Sequence, residues 1–414
     1  MTTRRSRLLP SLATFAILTF ASGVRAEDWP QWRGPRFDGT SAETGIPTKW
    51  SPNENVAWKT PIPGKGHSSP IIWGDRVFVT SALKEEGKQF LLALDRKTGK
   101  VLWTQEQPFK AQKLIHSENS HASSTPATDG KHLWIAFHDE PGFFCCCYDL
   151  DGKLIWKKSP GEFHSKHGFC SSPILWKDTV ILNGDQDDKA AYLVALDKAT
   201  GAEKWRTARP GIRSYCPPVI FDVHGKPQMV FAGSNCTASY DPDTGKQIWI
   251  IEGPTEQFVA SAVYKNDVLF MTYGFPKRGI IGINPDGAGN ITKTHVLYND
   301  SPGSGGYVPS PVAYGDYFFN VSDEGFGTCR DAKTGKLLWR ERMGRKYRAS
   351  PIVAGDYLYF PDEDGITWVL KASPKYELVE KNAMGEEIHA SLAVSRGQIF
   401  LRSLKALYCI GAAK

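Results

Sequence analysis

The chain has 414 residues, 41% of them hydrophobic and 12% aromatic, which is enough apolar material for a large core and excludes a disordered polymer. Its formal charge of +6 includes Arg4, Arg5, Arg7 and Arg25 at the N-terminus, and the other charges are interspersed, so neither nucleic acid nor an anionic membrane surface is indicated as a partner. Eight cysteines occur without a CxxC, CxxCH or His/Cys spacing, which argues against a zinc site and an attached haem.

Residues 1–26 read as a signal peptide. Three arginines precede an apolar run over residues 8–21 and small residues lead up to Ala26. The apolar core is shorter than the roughly 20 residues a membrane-spanning helix needs. The expectation is an exported protein, periplasmic or extracellular, without an integral membrane segment. Residues 27–54 form an N-terminal arm beginning Asp28-Trp29-Pro30-Gln31-Trp32-Arg33, expected to cover the underside of the repeat body.

From residue 55 to 414 one unit recurs. Its clearest half is Ala93-Leu94-Asp95, then Thr98-Gly99, then Trp103. It returns over residues 195–205, 239–249 and 329–339, and one residue shorter over 147–156. Asp followed by Gly closes a tight turn between two strands, because the Asp side chain binds nearby backbone N–H groups and Gly accepts a left-handed conformation. A Trp at the same point of each unit is a wedge between neighbouring sheets. The other half opens with Ser69-Pro70 and its counterparts Thr125-Pro126, Ser172-Pro173, Pro217-Pro218, Ser261-Ala262, Ser310-Pro311, Ser350-Pro351 and Ser391-Leu392, each leading into two strands joined by a short turn.

Eight starts with four short strands each predict an all-β, eight-bladed β-propeller of four-stranded antiparallel blades. The last unit lacks its Trp strand, and Asn55-Val56-Ala57-Trp58 supplies one, so an N-terminal strand completes the last blade and closes the ring. Two units, around Ile283 and around Leu370, have no Trp in the outer strand that follows the turn. Cys145, Cys146 and Cys147 fall within a strand, with Cys145 and Cys147 on one face and Cys146 on the other, and read as buried thiols rather than a bond between neighbours.

Loops before the innermost strands and loops between second and third strands should meet at one channel mouth. The first set carries His67, His121, His167, Arg213, Tyr307, Arg348 and His389, the candidate ring of ligand-binding residues. The second set carries carboxylates such as Asp185, Asp323 and Glu363. Histidine, arginine and tyrosine facing carboxylates suit a small-molecule or anion site. No nucleophile elbow or HExxH motif is present, so no catalytic residue is assigned.

The Trp-hairpin unit resembles the tryptophan-docking repeat of the pyrroloquinoline quinone (PQQ) dehydrogenase family, over essentially all of the chain from Asn55 onward. The opening around Trp29 and Trp32 is similar to that of bacterial exported PQQ-like repeat proteins. The resemblance implies one of two tasks: a PQQ- and calcium-dependent oxidoreductase, or a non-catalytic scaffold of the BamB kind. Three departures favour the scaffold. The body is shorter than those dehydrogenases, the Cys triplet lies within a strand rather than near the mouth, and no haem motif follows. The reading is therefore a monomeric binding module for a protein or polysaccharide partner, with no cofactor assigned from its own residues.

Overall fold

Each repeat folds on its turn. Asp95 Oδ1 accepts from Thr98 N (2.8 Å), Thr98 Oγ1 (2.7 Å) and Lys97 N (3.1 Å), and Asp197 and Asp331 make the same turn with Thr200 and Thr334. These bonds, the Thr98 hydroxyl foremost, hold the Asp95 carboxyl below its ordinary range. Gly201 then takes φ = +70°, and a Cβ there would lie 2.8 Å from the Trp156 ring, so glycine serves both the turn and the docking of the neighbouring tryptophan.

The computed structural model describes residues 26–112, 115–187, 190–300 and 305–412; all but Ala26 of the inferred signal peptide lies outside the described residues. Among them there are strands and no helix, and so none long and apolar enough to cross a membrane. Eight sheets, each with four antiparallel strands, form the blades of a β-propeller, and two of them gain a short fifth strand in parallel: Thr40–Ser41 beside Ile352–Ala354 and Gly289–Asn290 beside Gln247–Glu252. Blade 1 comprises Ile71–Trp73, Arg76–Leu83, Lys88–Asp95 and Val101–Pro108, and the others follow in chain order. Blade 8 takes Ala393–Ser395, Gln398–Arg402 and Ala406–Ile410 from the C-terminal end and Val56–Pro61 from the N-terminal end, with Trp58 paired to Cys409.

The core lies between blades. Middle strands are buried on both faces, as in Arg76–Leu83, whereas outer strands such as Val101–Pro108 alternate between exposed and half-buried residues. The six apolar clusters run round the ring, each shared by neighbouring blades. Cys145 and Cys147 belong to one cluster and Cys146 to another, and all three are free thiols pushed up by burial.

The tryptophans lace the blades together at the rim. The indole N–H groups of Trp58, Trp103, Trp156 and Trp205 donate to Arg96, Leu150, Lys198 and Pro242 carbonyls at 2.8–3.3 Å, each in the turn of the next blade. In blade 5, which lacks the Trp, Tyr298 takes its place: its hydroxyl donates to Ala332 O (3.0 Å), and Gly335 would clash with its ring if it carried a Cβ. In blade 7, Glu380 stands at the corresponding position, opposite Val369.

The arm does more than cover the underside. Trp29 exchanges backbone bonds with Ile72 (2.9 and 2.8 Å), Pro30 O accepts from Thr128 N (2.9 Å), and Gly39 O accepts from Val353 N (2.9 Å), so it touches the inner strands of blades 1, 2 and 7. The buried Arg33 guanidinium donates to Pro351 O (2.9 Å) and Pro311 O. The arm thus crosses the channel and stoppers it from below.

Candidate functional site

The stopper turns the channel into a cup of about 660 Å³, open at the face where the loops converge. That volume falls within the usual range of ligand sites, roughly 300–1000 Å³. Trp32, carried by the arm, lines it from the stoppered end. Of the seven residues expected at the mouth, His67, His167, Arg213, Tyr307, Arg348 and His389 line this one cavity.

His121 does not line it. Its ring packs against Phe109 at 5.3 Å between centroids, and its carbonyl accepts from Gln89 Nε2 (2.8 Å). The connection from blade 1 to blade 2 is long, and the part that reaches the mouth is His116, Glu118 and Asn119, a few residues earlier. Asp185 also departs from expectation. It is turned into the body and fully buried against Arg209 (3.1 Å), which also donates to Tyr240 Oη (2.5 Å).

A belt of hydroxyls encircles the throat, built from the residues that open the innermost strands. Backbone N–H groups of Ser391, Ser69 and Thr125 donate to Ser69 Oγ, Thr125 Oγ1 and Ser172 Oγ in turn, and those of Ser261, Ser310 and Ser350 to Ser310, Ser350 and Ser391 Oγ, at 2.9–3.1 Å. The belt is interrupted at Pro217, which has neither N–H nor hydroxyl; there Ser261 Oγ donates to the Pro217 carbonyl (3.0 Å). Apart from Ser261, each of these hydroxyls accepts a bond yet keeps its own hydrogen, because a hydroxyl is donor and acceptor at once. Ser69, Thr125, Ser172, Ser350 and Ser391 line the cup.

Above the belt, the charged residues are already engaged with each other. Arg348 is the centre of this network: its Nε lies 2.7 Å from Glu363 Oε1 and its Nη1 contacts Glu118, both Arg348 and Glu363 being about one-tenth exposed. Lys346 adds contacts to the same two carboxylates at 3.4 and 3.5 Å. Arg348 holds the Glu118 carboxyl down to about 2 against the opposing effect of burial. Glu118 comes from the loop between blades 1 and 2 and Arg348 from that between blades 6 and 7, so this ion pair straps the mouth. Arg213 pairs with Asp187 (2.6 Å), and Arg278 with Glu324. Asp323 accepts from the backbone N–H groups of Tyr307 (2.5 Å) and Val308 (3.1 Å).

His67 Nε2 and His389 Nδ1 are 3.2 Å apart. Burial foremost lowers both rings, helped at His67 by the adjoining His389 and then Lys65, and at His389 by Arg348 and Lys65, with His389 brought down to about 4 and His67 well below its ordinary value. Tyr307 lies so close to Gly274 that a Cβ there would sit 1.6 Å from its ring, and its hydroxyl donates to Gln257 Oε1 (3.1 Å). Among the described residues no group of three or more His, Cys, Asp or Glu side chains is placed to hold a metal.

Glu118 and Trp32 are among the mouth residues that motif reading misses, as are His116, Asn119, Phe275 and Lys346. The repeat does not reach the loop and arm that carry Glu118 and Trp32, whereas Glu363, the third member of the strap, belongs to the carboxylate set expected between middle strands.

The family model described as outer membrane protein assembly factor BamB matches residues 48–139, 112–272 and 280–375. A 1-butanol dehydrogenase (quinone) from Thauera butanivorans is 24% identical over 337 residues, covering 72% of this chain and 50% of that protein. A polyvinylalcohol dehydrogenase from a Pseudomonas species is 26% identical over 195 residues, 43% of this chain and 29% of its own. The chain thus spans at most half the length of these two relatives. Among solved structures, BamB from Moraxella catarrhalis is similar with a TM-score of 0.59 at 15% identity, over 86% of this chain and 97% of that one. A quinohemoprotein alcohol dehydrogenase from Comamonas testosteroni is similar with a TM-score of 0.60 at 13% identity, over 94% and 81%. At such identities these two show the shared fold alone.

Proposed function

The chain belongs to the PQQ-like repeat propeller family that the BamB model describes, and from that premise we propose that it is an exported, non-catalytic module that binds a protein or polymer partner in the cup. The observation that carries this reading is the engagement of the mouth carboxylates. Glu118 and Glu363 are held by Arg348 and Lys346, Glu324 by Arg278, and Asp323 by two backbone N–H groups. A general base that takes a proton from an alcohol needs a carboxylate free to accept it, and calcium needs six to eight oxygens around it. With these oxygens spent on cations and backbone donors, and no group of three or more His, Cys, Asp or Glu side chains gathered for a metal among the described residues, the donor set of the mouth does not fit a calcium ion.

The second reading, a PQQ- and calcium-dependent oxidoreductase, draws on the match to 1-butanol dehydrogenase (quinone) over 72% of the chain. One experiment separates the two. The melting temperature of the purified protein is measured with and without PQQ plus calcium, alongside dye-linked oxidation of primary alcohols. The binding-module reading expects no rise and no turnover; a marked rise together with turnover overturns it.

A further inference from the structure

We propose that the occupant of the cup is the end of an uncharged polysaccharide; this rests on the reading of the cup as a partner site. Three properties of the wall point to that chemistry. The first is the hydroxyl belt: the hydrogens of the five members that line the cup, Ser69, Thr125, Ser172, Ser350 and Ser391, meet no acceptor among the described residues. Neutral O–H donors spaced round a wide throat match the many hydroxyl acceptors of a sugar chain, and they are individually too weak to replace the hydration of an ion.

The second is the placement of aromatic faces at two depths. Trp32 is half-buried at the stoppered end, and Phe275, 52% exposed, stands at the rim between two middle strands of blade 5. A single exposed Phe is ordinary on a protein surface. Here its backbone carbonyl is fixed by Gln257 N–H (2.9 Å) and its ring borders the same cavity as Trp32. Flat apolar rings flanked by hydroxyls suit sugar rings, which carry C–H groups on their faces and hydroxyls around their edges.

The third is charge. Arg348, Lys346 and Glu118 satisfy one another across the mouth, so an anionic or cationic guest would have to break an existing pair to gain one of its own. An uncharged guest leaves the strap intact. This disfavours polyanions and charged peptides.

The test uses the full protein and intrinsic tryptophan fluorescence, with calorimetry as the second readout. The probes are cello-, malto-, manno- and xylo-oligosaccharides, with oligogalacturonate as the anionic comparison. At least one neutral series should bind saturably and change the emission, and the change should vanish in Trp32→Phe. Its affinity should be unchanged between about 50 and about 500 mM NaCl, because no ion pair forms. Phe275→Ala should weaken binding about tenfold at an unaltered melting temperature. Binding of oligogalacturonate alone, weakening steeply with salt, overturns the proposal, as does failure of every neutral series. If the neutral series fail while PQQ with calcium does not stabilise the protein, only the sugar assignment falls. If PQQ with calcium stabilises it and turnover follows, the parent reading falls too.

Discussion

Two rings run round this molecule, and they obey different rules. The outer one, where indoles dock on the turn of the next blade, repeats one chemical solution with small variations: Trp103 on Leu150, Trp156 on Lys198, Tyr298 on Ala332. The mouth repeats almost nothing above its belt of hydroxyls. Each loop contributes a different side chain, and residues from distant blades meet, as Glu118 and Arg348 do. Repetition marks what every blade needs in order to pack, and its loss marks where the fold is free to specialise.

The comparison can be broken, or sharpened, by substitution. The largest effect is expected at Asp185, a mouth-loop residue that behaves as part of the body. Asp185→Ala leaves Arg209 buried and without its carboxylate, and should cost about 3–5 kcal/mol in urea unfolding. Trp156→Ala removes a wedge that is 8% exposed, together with its bond to Lys198 O, and should cost about 3 kcal/mol. Loss of ligand binding without loss of stability in Trp156→Ala would contradict the division between the rings.

Acid should act next. His389 and His138 are each held by burial to about 4 in the folded protein, against an ordinary 6.5. The unfolded chain therefore takes up protons first as pH falls from 6.5, so stability is full above that value and declines toward about pH 4. His389→Gln should flatten the decline in a series of melts across this range. Gly201→Ala should cost about 1–2 kcal/mol through the left-handed turn and the approach of Trp156. The smallest effect belongs to the mouth rim, where the Arg345–Asp364 pair (3.0 Å) is solvent-screened and Arg345→Ala should leave the melting temperature unchanged.

The same division governs what can be read from the sequence. The turn residues, the strand starts and the Trp that closes blade 8 are all local signals repeated several times, and they lead directly to the eight blades. The substitution of Tyr298 for a tryptophan is hidden because its Asn-Pro-Asp turn departs from the pattern on which the register aligns. At the mouth, residues immediately ahead of the innermost strand are legible, as with His67, Arg348 and His389, since a few residues of loop cannot carry them far from the throat. His121 stands two residues farther from its strand than these three, Ser123 holding the matching place in the cup, and its ring finds an apolar partner in Phe109, which the repeat does not encode. Asp185 escapes the sequence for a related reason: its partner Arg209 is distant along the chain, and nothing local announces a buried ion pair. The sequence puts Trp32 beneath the ring with the rest of the arm, and its place in the cup comes from how the arm threads the channel.

The closure of blade 8 also sets the order in which the chain can acquire its shape. Val56 waits for Ile410, and Pro61 for Ala406, so the contact that completes the circle joins segments separated by most of the chain. Until it forms, an arc of seven blades presents two apolar flanks, and those flanks can pair with another arc as readily as with the missing strands. Closure over such a span adds little to the entropy cost per residue, but it is slow compared with local hairpins. Assembly should therefore pass through a late, concentration-sensitive stage in which dilution favours the monomeric ring and crowding favours aggregates.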